Sequence, residues 1–107
     1  KKIIEFIKKF NKKFGINYDT GNSASLNYKF DEEKKYFQYV HNIHIKDRVK
    51  FGKTVRLGKG NWQPKRFFKF LKKINYKKNL ILQTARAKDG NHIREIFTNL
   101  KFIQKYI

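Results

Sequence analysis

A single proline, Pro64, does most to limit the folds open to this 107-residue chain. Proline has a fixed φ and no backbone N–H, so a helix tolerates it only in the first turn. A helix therefore opens near Trp62 and runs to about Ile74. Phe67, Phe70, Leu71 and Ile74 make its apolar stripe, and Lys65, Arg66, Lys69, Lys72 and Lys73 its outer face. The preceding Gly58, Lys59, Gly60 and Asn61 read either as a simple strand-to-helix turn or as a glycine turn whose backbone N–H groups, with Arg56 and Lys59, hold a phosphate.

The other segments follow from periodicity. Residues 1–14 place Ile3, Phe6, Ile7, Phe10 and Phe14 at helical spacing, and Gly15 is a natural stop. Residues 18–22 are turn-like. Strict alternation over 23–30, with Ala24, Leu26, Tyr28 and Phe30 on one side, predicts a half-buried strand. After a turn at 31–34, residues 35–45 predict a second strand and the two a hairpin. A third strand is expected over 48–57, with Val49, Phe51, Val55 and Leu57 apolar and Gly52 as a bulge or turn. Residues 80–86 read as a strand buried on both faces. Asp89 can cap a helix to about Leu100 with Ile93, Ile96, Phe97 and Leu100 inward, and 101–107 can close as a short strand. The expectation is one α+β domain over residues 1–107 in the order α-β-β-β-α-β-α-β, a mostly antiparallel sheet with helices packed on it.

Charge points to partners. The formal net charge is +19, and fourteen lysines and arginines lie from Arg48 to Lys88 without one acidic residue. Such a surface attracts a polyanion. An AT-rich coding bias accounts for 22 lysines among 27 basic residues, but not for the absence of acids in the middle of the chain. Hydrophobic content of 39% and aromatic content of 17% supply a small core and argue against disorder. No apolar run approaches the roughly 20 residues of a membrane span, and no signal peptide is visible. The chain starts at lysine, which fits removal of an initiator methionine or of a longer N-terminus. Zero cysteine excludes disulfides and thiolate chemistry and fits the cytoplasm.

Two families are similar in pattern. Leu80 to Ala85, then Asn91, then Phe97-Thr98-Asn99-Leu100-Lys101-Phe102 resembles the closing segment of the GNAT N-acetyltransferase fold. That resemblance implies a GNAT-like fold over residues 23–107 and acetyl-CoA as a cofactor, with Arg56, Gly58, Lys59, Gly60 and Asn91 as its binding residues. Phe97 stands where the family often has a tyrosine acid, and Lys101 where it has glycine, so a degenerate, non-catalytic relative is implied. Residues 1–74 also resemble a double-stranded-RNA-binding domain, with Gln63-Pro64-Lys65-Arg66 in place of its lysine cluster.

The leading expectation is a small non-enzymatic nucleic-acid-binding protein, with RNA favoured over DNA. Its contacts would be to phosphates through Arg48, Lys50, Lys53, Arg56, Lys59, Lys65, Arg66, Lys69, Lys72 and Lys73. Trp62 could stack on a base or pack as a helix-entry staple. Two settings fit: a ribosome-associated protein, or a phage or mobile-element factor acting on a host nucleoprotein complex. The alternatives are an acetyl-CoA-dependent N-acetyltransferase and a protein–protein inhibitor engaging an acidic or nucleic-acid-binding partner. No catalytic residues and no metal are expected: His41 and His44, three apart on a strand, face opposite ways, and Asp31, Glu32 and Glu33 read as a solvated turn. The first helix could lie on an anionic membrane, but aromatic stripes at this spacing are read as core, so no membrane partner is expected.

Overall fold

A computed structural model of the chain describes residues 2–9 and 14–107. In order, the elements are α1 (Lys2–Lys9), β1 (Ile16–Asp19), α2 (Thr20–Ser25), α3 (Phe30–Glu33), a 3-10 segment (Lys34–Tyr39) and β2 (Val40–Ile45). There follow β3 (Asp47–Arg48), β4 (Thr54–Val55), α4 (Pro64–Lys73), β5 (Asn79–Leu82) and α5 (His92–Gln104).

The main sheet has the order β1-β2-β5, and both pairings are parallel. Tyr18, Ile43 and Leu80 are register partners across it, as are Asp19, His44 and Ile81. The only antiparallel pairing among the described residues is the short β3–β4 hairpin, closed by the turn around Gly52. The mostly antiparallel, GNAT-like sheet is therefore corrected to a parallel one. Parallel strands need long crossovers, and the segments between these strands carry helices.

Local chemistry explains where alternation misled. Asp19 accepts a hydrogen bond from the Asn22 N–H at 2.7 Å and so caps α2, which takes up part of the expected strand 23–30. On that strand's supposed core side, Leu26 and Tyr28 are exposed, 47% and 61%. Most of the first half of the second expected strand is the 3-10 segment. The helix after Pro64 starts as expected, but Phe68 is buried in it and Ile74 is exposed. Beyond β5 the fifth helix is capped by Asn91 instead of Asp89 and continues through the expected closing strand. It buries Glu95, Asn99 and Ile103 and leaves Ile93, Ile96, Phe97 and Leu100 outside. In α1 Ile7 is buried, while Phe6 of that helix and Phe14, which is not helical, are about half exposed and meet edge to face at 5.6 Å. Phe10, the side chain of Ile3 and the rest of that expected helix to 13 lie outside the described residues.

The core sits on one side of the sheet. Tyr18, Ile43 and Ile45 meet Phe30, Phe37, Phe67 and Leu71, with Tyr18 stacked on Phe67 at 5.7 Å and Phe37 edge-on to Phe67 at 6.1 Å. Each large side chain so buried is worth about 1.5–3 kcal/mol. Beneath Tyr18 lies the buried Glu33 carboxylate, which accepts from the Tyr18 hydroxyl at 2.9 Å and from Ser23 Oγ at 2.6 Å. Burial, with that carboxylate adding to it, pushes the Tyr18 phenol well above its ordinary range.

Candidate functional site

The opposite face of the sheet is polar. Asn17, Asn42 and Asn79 share one rung of the ladder, and Asp19 and His44 share another nearer the C-terminal strand ends. The Asn79 amide donates to Asn42 Oδ1 at 3.0 Å. Parallel sheets usually bury apolar side chains on both faces. Here Leu80 and Ile81 are about 40% exposed, in contrast to the doubly buried strand expected for 80–86.

At the strand ends four functional side chains gather from three strands. Gln83, just past β5, is held by its backbone N–H to the Ile45 carbonyl at 3.0 Å, and its Oε1 lies 3.1 Å from His44 Nδ1. With the amide so oriented, Nδ1 carries the hydrogen and the Nε2 lone pair has no partner among the described residues. Lys46 Nζ approaches Asp19 Oδ2 at 3.8 Å. Thr20 fixes this arrangement by donating to the Lys46 carbonyl at 2.6 Å and accepting from its N–H at 2.9 Å. Gly21 lets the lysine stem lie close, since a Cβ there would come within 2.8 Å of Lys46 Cγ. The result is a carboxylate, an imidazole with a free nitrogen, an ammonium and an amide on one polar surface. Such a set can move a proton and stabilise a developing oxyanion. Asp19 and His44 are a pair; among the described residues no three acidic or histidine side chains gather as a metal-binding group.

Sequence reading passed over Asp19, His44, Lys46 and Gln83, because Asp19 fell in a turn cluster and His44 was weighed only against His41. The usable signal was a polar residue at or just beyond the end of each apolar strand.

The residues that sequence singled out are placed differently. The carboxylate of Asp47, fully buried, accepts from the N–H groups of Gly58 at 2.9 Å, Gly60 at 3.1 Å and Trp62 at 3.0 Å. The glycine turn thus spends these donors inside the protein, where a phosphate reading needs them outside. Gly58 has a φ of 88°, a conformation that favours glycine. Trp62 is buried against Phe67 and Phe68, which selects the staple over base stacking. Arg56 makes a two-point pair with Glu95, at 2.7 and 2.6 Å. The Arg56 hydrogen bond holds the Glu95 carboxyl below its usual range against the opposing effect of burial. Asn91 is used as a helix cap. Arg48 donates to Asn22 Oδ1 at 2.7 Å and to the Gly52 carbonyl at 2.9 Å. Lys50 lies over the Phe51 ring. Lys53 and Lys59 line a groove with Arg56. Lys65, Arg66, Lys69, Lys72 and Lys73 are exposed along α4, and none has a carboxylate partner among the described residues.

No helix among the described residues is long and apolar enough to cross a membrane. Among curated proteins none matches the chain. A family model described as Xylose isomerase-like TIM barrel matches residues 1–106. That match overturns both the GNAT resemblance and the double-stranded-RNA-binding resemblance, and it agrees with parallel strands joined by helix-bearing crossovers.

Proposed function

The chain belongs to the xylose isomerase-like TIM barrel family, and on that premise we propose that its strand ends carry part of a sugar-converting site. In such barrels the active site lies at the C-terminal ends of the strands, and a closed barrel has eight of them. On this reading β1, β2 and β5 would supply one arc of such a ring. The observation that carries the reading is the register pairing of Asp19 with His44, with Gln83 holding the imidazole. His44 Nε2 would take a proton from a carbon next to a carbonyl, and the Lys46 ammonium would face the oxygen on which charge develops. Asp19 would accept a substrate hydroxyl and hold Lys46 in place.

The test is a titration of the labelled chain with an aldopentose, following the His44 ring resonances. Saturable shifts at His44, without matching shifts at His41 and His92, support the reading. Unchanged His44 resonances at high millimolar sugar would remove it.

A second reading rests on a different observation, the row of uncompensated cations on α4. These would hold the phosphates of a nucleic acid, RNA favoured, alone or within a ribosomal or other nucleoprotein complex. The affinity should fall with salt, by about 0.7 in log K per log unit of salt for each single-strand phosphate neutralised. A flat salt response would exclude it. Both readings suit a protein of the cytoplasm, where sugars and RNA are at hand; cell fractionation checks this.

A further inference from the structure

The groove beside the strand ends has a chemistry of its own. It encloses about 520 Å³ between the β3–β4 hairpin, the segment after β5 and the start of α5. Its two acids are already used: Asp89 pairs with Arg94, and Glu95 pairs with Arg56. Lys53, Lys59, Arg86 and Lys88 also line it, and none of the four has a carboxylate partner among the described residues. Val55, Ala85 and Ala87 give it apolar walls, which strengthen the field those cations project. A volume in this range suits a small organic ligand and exceeds what a bare phosphate fills. The groove also continues the strand-end site along the chain, because Ala85 follows Gln83 by two residues and Gln83 holds His44.

We propose that this groove binds the phosphate of a phosphorylated sugar or polyol whose carbon chain extends towards His44. Naming that substrate class rests on the sugar-site reading; an anion site in the groove does not. The guanidinium and ammonium groups that line the groove from the β3–β4 hairpin, the loop that carries Lys59 and the segment after β5 would complement the phosphate oxygens. The paired Arg56 and Glu95 would form a rigid floor.

The experiment uses the whole chain with amide and histidine resonances followed together, and three probes: inorganic phosphate, ribose 5-phosphate and ribose. The expected result is that ribose 5-phosphate shifts the amides of Ala85 and Ala87 and the His44 ring in one saturable process, while phosphate shifts the amides alone. Arg86→Ala with Lys88→Ala should weaken both by about tenfold, roughly the loss of one good charge-assisted contact. Lys8→Ala with Lys9→Ala, exposed on α1, should leave them unchanged. Shifts at the groove without His44 would uphold the anion site and overturn the sugar-site reading. Shifts at His44 without the groove, or equal weakening by both double variants, would overturn the groove. A uridine oligonucleotide that displaces ribose 5-phosphate far below the latter's own dissociation constant would replace the proposal with a nucleic-acid site.

Discussion

The two faces of the central sheet are built from the same four- and six-residue strands yet serve opposite ends. On one face, Tyr18, Ile43 and Ile45 are sealed by aromatic rings from α3, the 3-10 segment and α4. On the other, Asn17, Asp19, Asn42, His44 and Asn79 form polar rungs that stay partly open. A parallel sheet left open on one side is unusual for an isolated domain but natural for the wall of a barrel, whose other strands face it. Stability should therefore depend on the aromatic face and ligand chemistry on the polar one.

The largest effect expected from that contrast is on the aromatic side. Phe67 touches Tyr18, Phe30, Phe37, Trp62 and Phe68, so Phe67→Ala should cost about 3–5 kcal/mol by denaturant unfolding. A loss below about 1 kcal/mol would mean that this face is not the load on which the fold depends. Next comes Asp47, which is polar but wholly internal. Removing its carboxylate leaves the Gly58, Gly60 and Trp62 N–H groups without their acceptor, so Asp47→Ala should cost about 2–4 kcal/mol. Its amide exchange should quicken across the 57–62 loop first.

How much of this was readable beforehand depends on the range of the interactions. Pro64 and the apolar spacing behind it placed α4, because helix start and amphipathicity are local. The 48–57 segment turns at Gly52, as the glycine implies, but it forms the short β3–β4 hairpin in place of one strand, and Phe51 of its expected apolar side is 71% exposed. Pairing β1 with β2 and β2 with β5 is not local: Asp19 meets His44 across 25 residues, and Gln83 meets it across 39. Alternation at 23–30 imitated a strand because Thr20, Ser23 and Ser25 turn their small side chains into the protein from a helix. Lysine counting named Lys53, Arg56 and Lys59 together as nucleic-acid contacts, but it could not show that Arg56 is already committed to Glu95.

That pair gives a smaller, pH-dependent effect. The Glu95 carboxyl is held below its ordinary value in the folded state, chiefly by the Arg56 hydrogen bond. Its contribution is therefore complete above the unfolded carboxylate range and disappears as pH falls through the lower folded value. Arg56 stays charged throughout, since its own pKa is raised. Unfolding midpoints measured from neutral pH down to the bottom of the carboxylate range should fall less steeply in Glu95→Gln than in the parent. Parallel curves would assign the acid sensitivity elsewhere.

The smallest expected change in stability is the most informative about the polar face. Asp19 both caps α2 through the Asn22 N–H and approaches Lys46 with its other oxygen. Asparagine is as good an N-cap as aspartate, while alanine loses about 1 kcal/mol at such a position. Asp19→Asn should therefore unfold within about 0.5 kcal/mol of the parent, with Asp19→Ala below both. If the carboxylate charge matters to the strand-end site, Asp19→Asn should still lose the sugar-dependent shifts at His44. If asparagine keeps those shifts and only alanine loses them, Asp19 is a cap that holds α2 in place, and the proton-moving set contracts to His44 and Lys46.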